Sequence, residues 1–202
     1  MFDTATSRFR QFARSAWAAD WNFLSTEMSA RMFFLDFVVF PPLVLIFLVL
    51  AVWDGGPAQW LTSAALVCVA VGVWTLAEYL IHRFAFHHFP VLKAVHLAHH
   101  DDPRGLTGTP TILTVLVFAV LVYWPAAEVA SRSSAAAWTA GMLLGYLAYV
   151  SVHYVVHHLG SGGWQVLRRL IKAHAVHHHD DSCNFGVTTV FWDRVFGTLG
   201  RR

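Results

Sequence analysis

Four long apolar stretches, near Phe33 to Trp53, Trp60 to Ile81, Thr111 to Ala130 and Ala135 to Val152, constrain this chain more than any other feature. Each is close to the roughly 20 residues that a helix needs to cross the hydrocarbon core of a bilayer. Inside that core every backbone N–H and C=O must find its partner within the segment, so stretches of this kind are helices. The composition agrees: of 202 residues, 56% are hydrophobic and 13% charged, the apolar excess of a membrane protein. The expected fold is an all-α membrane protein with four transmembrane helices. The connections at 54–59 and 131–134 are short, so the helices pair into two hairpins. A net charge of +2 makes no case for nucleic acid. Two cysteines, Cys68 and Cys183, are too few and too separated for a disulfide framework.

The basic residues predict sidedness. Of the 14 Lys and Arg, only Arg132 falls in one of the two short turns. Basic flanks stay in the cytoplasm, so both termini and residues 82–110 are expected to face inward. Trp53, Trp60, Trp124 and Trp138 mark the outer interface. Asp36 and Glu128 lie near span ends, where they are expected to reach the headgroups. The expected organisation is an N-terminal interfacial helix over 1–32 and a four-helix domain over 33–202, with a cytoplasmic helical cap from 82–110 and 153–202. In the first, Phe9, Phe12, Ala16 and Trp17 share one side while Arg8, Arg10 and Arg14 lie elsewhere, the pattern of a helix lying in the headgroup region.

All 13 histidines follow residue 81, in clusters at 82–88, 96–100, 153–158 and 174–179. Each cluster sits at or just past a span end, on one side of the membrane. Helix positions i, i+3 and i+4 share a face. His96, His99 and His100 therefore project together, as do His174, His177 and His178, and the pair His153 and His157. His158 and His179 fall off these faces and are expected at the surface or as partners of ligands. His82 and His87 are five apart, about 140° round an ideal helix. They share a site only where the helix ends or is distorted, and otherwise serve different metals. His88 is the odd member of its cluster. Ten histidines remain, too many for one metal and about five each for two. A structural zinc site closes with four ligands, commonly including thiolate. Nitrogen-rich coordination with room for a further ligand suits iron and oxygen chemistry, with zinc or copper able to occupy the same cage. Replacing His179 is expected to leave metal content intact, whereas replacing His177 is not.

In order, HRFAFH, HLAHH, HYVVHH and HAVHH, followed by NFGVTTVFWDRVFGT, resemble the fatty acid hydroxylase and sterol desaturase superfamily of integral membrane di-metal oxygenases. The resemblance covers residues 78–198, and HYVVHH with the NFG tail looks most like the fatty acid 2-hydroxylases. It implies a di-iron centre, supplied with O2 as co-substrate and two electrons, that hydroxylates an unactivated C–H bond of a membrane lipid. The implied ligands are His82, His87, His96, His99, His100, His153, His157, His174, His177 and His178, with no catalytic residue apart from them. Glu78, one turn before His82, is placed to orient a ligand imidazole. Asp101, Asp102, Asn184, Asp193, His88, His158 and His179 are the other candidates for supporting contacts. Phe185, Phe191 and Trp192 are candidates to cover the site or line an acyl path. With no HPGG haem motif in the sequence, the expected electron source is a separate donor of the cytochrome b5, ferredoxin or reductase type. Hydroxylation or desaturation of a carotenoid, sterol or aminolipid is the enzymatic alternative. A non-enzymatic membrane metal or haem protein is the alternative of another class, but the span interiors hold no histidine for it to use. No G-x-S-x-G, P-loop or G-x-G-x-x-G supports a hydrolase, an NTPase or a nucleotide-bound reductase.

Overall fold

The computed structural model describes residues 28–53 and 55–200. Nearly all of the expected N-terminal amphipathic helix therefore lies outside the described residues. Helix α1, Ala30–Val52, starts where the Met32 N–H donates to the Ser29 hydroxyl at 3.3 Å, a side-chain cap for an otherwise unpaired backbone donor. Helical geometry continues through Pro41 and Pro42. Helix α2, Pro57–Leu80, opens on a proline, whose missing N–H is harmless in a first turn. It runs on without a break into a π-helical turn over Ile81–Phe86. Helix α3 is Pro90–Asp101. The third span is α4, Thr111–Val117, a second π-helical turn over Phe118–Tyr123, and α5, Trp124–Val129. Helix α6 is Arg132–His158, α7 is Gln165–His179 and α8 is Phe191–Val195.

Four helical runs are long and apolar enough to cross a membrane: Ala30–Val52, Pro57–Phe86, Thr111–Val129 and Arg132–His158. They are the four expected spans, with one difference. The second and fourth extend to Phe86 and His158, so His82 and the third histidine cluster are carried on the spans themselves, and His87 caps the second.

Helix α6 is the central one, with 56% of its apolar window buried against 22% or less in the others. It packs on α1 and α2. A Cβ on Gly141 would fall 2.5 Å from the Val67 carbonyl oxygen, and one on Gly145 would fall 2.4 Å from Trp74 Cβ. Glycines one turn apart thus let two backbones approach where no larger residue fits, as membrane helices commonly require. Around this contact Phe40, Val44, Ala70, Phe118, Met142, Leu143 and Tyr146 form the apolar core. Side chains such as Val38, Leu61 and Leu121 stay exposed and face lipid.

Asp36 does not reach the interface as expected. It is buried, and its carboxylate accepts the Thr111 hydroxyl at 2.5 Å and the Tyr146 hydroxyl. A carboxylate in apolar surroundings needs such partners, and here they join α1, α4 and α6. Glu128 is exposed as predicted, accepting the Trp124 indole N–H at 2.9 Å.

Candidate metal centre

The π-helical turn settles the spacing of the first cluster. Its i→i+5 pattern adds a residue to the turn, so residues five apart come onto one face. The His82 and His87 rings lie 5.5 Å apart and within 25° of parallel. Both join His96 and His177 in a group whose ligating nitrogens all lie within 4.8 Å of one another. His99, His157, His174 and His178 form a second group within the same distance. Residues that share a helical face therefore part company. Helix α3 sends His96 to group one and His99 to group two, while α7 sends His177 to group one and His174 and His178 to group two.

The remaining two of the ten histidines flank these tetrads. His100 lies between them, its Nε2 3.0 Å from His96 Nε2 and 3.2 Å from His177 Nε2, with its ring stacked 4.4 Å from His178. The His153 ring lies 4.7 Å from His99 and 5.1 Å from His174. Outside the cluster, His88 and His179 are exposed, and His158 stacks on Tyr154 at 4.5 Å. Asp101 and Asp102 are exposed at the end of α3, where Asp102 accepts the Arg104 N–H at 3.2 Å.

The donor set fits metal ions. His96 Nε2 lies 3.1 Å from His82 Nε2, 3.1 Å from His87 Nε2 and 3.0 Å from His100 Nε2. An imidazole nitrogen has one proton or one lone pair in the ring plane, so it cannot hydrogen-bond to all three. In group two, His174 Nε2 meets His157 Nε2 at 2.8 Å and His178 Nε2 at 3.1 Å, and His157 meets His99 at 3.1 Å. Nitrogens crowded in this way have the geometry to share a cation. Burial, reinforced by neighbouring imidazoles, pushes His96 and His178 down to about 2 and His99 to about 3. Burial likewise pushes His177 down to about 4, against a backbone hydrogen bond that raises it, and holds His174 well below its ordinary value. The rings are thus neutral at physiological pH, as ligation demands.

A loop from the C-terminal segment braces group one. The His82 Nδ1–H donates to the Phe185 carbonyl at 2.5 Å, and the His177 Nδ1–H donates to the Cys183 carbonyl at 2.8 Å. Each bond leaves the Nε2 lone pair aimed inward. Two buried carboxylates hold the loop. Asp193 accepts the N–H groups of Phe185 and Gly186 at 2.8 and 2.9 Å and the Thr198 hydroxyl at 2.8 Å. Glu78 accepts the N–H groups of Val187 and Thr188 at 2.6 and 2.9 Å and the Thr188 hydroxyl at 2.5 Å. Glu78 therefore reaches the imidazoles through this loop, and among the described residues it hydrogen-bonds to Val187 and Thr188 rather than to a ring.

Local sequence fits this loop closely. Asn184 sits at φ 56°, a left-handed conformation that Asn tolerates better than most residues, and its side-chain oxygen accepts the Gly200 N–H at 3.0 Å. A Cβ on Gly186 would fall 2.0 Å from the Thr189 carbonyl oxygen, so the turn excludes any side chain there. Phe185 covers group one, its ring 5.9 Å from His82 and 5.5 Å from both His87 and His177. Trp192 donates to the Thr75 hydroxyl at 2.9 Å, and Phe191 is exposed. Sequence reasoning missed the carbonyls of Cys183 and Phe185, because a backbone acceptor has no residue-type signature. It also missed Asp181, whose carboxylate lies 3.9 Å from His87 Nδ1; its place just after the fourth cluster was the available signal. Group two borders an opening lined by Phe33, Leu106, His153 and Tyr154 together with His99 and His157.

The sequence profile of the Fatty acid hydroxylase family matches residues 67–198, a span holding both histidine groups and both loop carboxylates. The chain belongs to the fatty acid hydroxylase family. A ceramide very long chain fatty acid hydroxylase of Saccharomyces cerevisiae is 38% identical over 160 residues, covering 68% of this chain and 38% of that protein. A dihydroceramide fatty acyl 2-hydroxylase of Arabidopsis thaliana is 30% identical over 207 residues, covering 87% of this chain and 82% of that protein. The human fatty acid 2-hydroxylase is 34% identical over 143 residues, covering 63% and 37% respectively. The chain thus spans well under half the length of the yeast and human relatives and most of the plant one. Among solved structures, that of full-length scs7p, in which only the hydroxylase domain is visible, matches with a TM-score of 0.76 at 25% identity, covering all of this chain and 91% of that one. As a family member with four apolar helices, the chain is an integral membrane protein, and each of its two tetrads has the geometry to hold a metal ion.

Proposed function

We propose that this protein is a lipid hydroxylase that places two metal ions, iron in the working enzyme, in the two imidazole groups and oxidises an acyl chain of a membrane lipid at carbon 2. The observation that carries this reading is the pair of four-nitrogen groups, each within 4.8 Å, at the end of four membrane helices in a chain of this family. The yeast relative's ceramide fatty acid hydroxylase activity supports the acyl substrate, and the plant and human relatives' 2-hydroxylase activities support the carbon. Zinc can occupy the same nitrogen cage, and nitrogen-rich coordination favours iron for oxygen chemistry. When bound, the metal pair supplies activation of O2 toward an unactivated C–H bond.

In the overall balance one oxygen atom enters the C–H bond and the other leaves as water, consuming two electrons and two protons. A separate donor of the cytochrome b5, ferredoxin or reductase type delivers the electrons. The chain's own residues do the rest. The Cys183 and Phe185 carbonyls fix two ring orientations, Phe185 covers group one, and the acyl chain is placed on the side of group two, beside the small cleft lined by Phe33, Leu106 and Tyr154. The histidine ends of the spans face the cytoplasm, since Arg132 alone among the Lys and Arg falls in the opposite turns. Helices α3, α7 and α8 with their connecting loops form the cap there.

The test is expression in a host of defined lipid content, with metal bound and a donor supplied, followed by mass spectrometry of extracted lipids. One added oxygen on an acyl chain, located at carbon 2 by fragmentation, is the expected result. No oxygen gain in any lipid class overturns the reading.

A further inference from the structure

The two imidazole groups differ in what stands behind the rings. In group one, His82 and His177 each donate from Nδ1 to a loop carbonyl. In group two, Nδ1 of His99, His174 and His178 is buried with no hydrogen-bond partner. The covering differs in the same direction: Phe185 lies over group one, while His99 and His157 line an opening.

We propose that the two metal positions are unequal: the loop clamped by Glu78 and Asp193 makes group one the tight position, and group two is the exchangeable one. This rests on the two-metal reading above. A partner on the distal nitrogen fixes the tautomer, holds the ring in plane with the metal and raises the basicity of the ligating nitrogen. Losing one costs about 10- to 100-fold in metal affinity. Glu78 and Asp193 act one step further out as positioning residues. Between them they accept four consecutive N–H groups, from Phe185 to Thr188, and this aims the carbonyls of Cys183 and Phe185 at the rings. Asp193 uses both oxygens, one for each of the Phe185 and Gly186 N–H groups. Asp193→Asn turns one acceptor into a donor and sets it against a loop N–H, releasing the clamp. Glu78→Gln keeps an oxygen for Val187 and Thr188 and an NH2 group for the Thr188 hydroxyl, so it preserves the clamp, whereas Glu78→Ala does not.

The experiment uses the full chain in detergent, loaded with Zn2+ as the probe and titrated with a competing chelator while bound zinc is counted. Two zinc ions are expected to leave in steps about 10- to 100-fold apart. His178→Ala removes the weak step and His177→Ala the tight one. Asp193→Asn weakens the remaining zinc about 10- to 100-fold in the His178→Ala background and leaves it unchanged in the His177→Ala background. Where Asp193→Asn does not fold, the Glu78 pair decides: the tight step is lost with Ala and kept with Gln. Release of both ions in one step, equal effects in the two backgrounds, or the same result from Glu78→Gln and Glu78→Ala overturns the inference while the two-metal site stands. A chain that never binds two zinc ions overturns the two-metal reading itself.

Discussion

The membrane half of this protein and its histidine half are held together by different means. In the bundle, contact depends on shape. Gly141 and Gly145 leave no room between α6 and α2, and the clip of Asp36, Thr111 and Tyr146 is a small polar addition. In the histidine half, contact depends on direction. Two buried carboxylates grip a run of backbone amides, and carbonyls of that loop grip the rings. The difference follows from the solvent on each side. Lipid tails are as apolar as the side chains they touch, so burial alone does not drive helices together there, and close fit must. At the membrane edge, hydrogen bonds have water as a competitor, and direction comes from pairing buried donors with acceptors, as the loop does for two rings of group one.

The largest expected effect lies in the histidine half. His177→Ala removes a fully buried imidazole of group one and should abolish hydroxylation and cost one bound metal, measured by metal analysis of purified protein. His179→Ala, at an exposed position one turn end away, should change neither. Equal loss in both variants would erase the distinction between ligand and bystander.

Acid should separate the halves next. His96, His99, His177 and His178 are depressed from 6.5 to between about 2 and about 4, so the unfolded chain binds more protons than the folded one across that interval. Stability from this source is complete above 6.5 and falls as pH drops toward the folded values. Metal-free protein should therefore lose melting temperature between about pH 7 and about pH 5. Bound metal should shift that loss to lower pH, because protons must first displace it. A pH-independent melting curve for the metal-free protein would show that the histidine half contributes nothing to its unfolding.

In the bundle, Gly145→Leu should destabilise by about 1–3 kcal/mol or more through overpacking against Trp74, read as a lower melting temperature in detergent. Thr111→Val should cost least, about 0.6 kcal/mol, the average for a hydrogen bond between membrane helices. If Thr111→Val proves the more damaging of the two, the bundle is organised by its polar clip after all.

The spans and the histidine clusters were legible because each is a property of composition along a short run. What was not legible depended on partners far away in the chain. Asp36 looked like an interfacial residue because its two hydroxyl donors are 75 and 110 positions distant. The helical wheel put His96, His99 and His100 on one face, yet could not say that His96 and His99 would fall in different groups. The ambiguity at His82 and His87 was a real one, since nothing in HRFAFH announces a π-helical turn. Glu78 and Asp193 were visible as candidates, but their route to the rings runs through backbone atoms, on which the sequence is silent.

The unbroken run from Pro57 to Phe86 makes one rod of a membrane span and His82 of group one, with His87 capping its end. A helix longer than the bilayer is thick tilts to fit it. His82 and His87 must move with any such tilt, while His96 and His177 ride on shorter helices in the cap. Bilayer thickness is therefore a mechanical input to group one, delivered along a single lever.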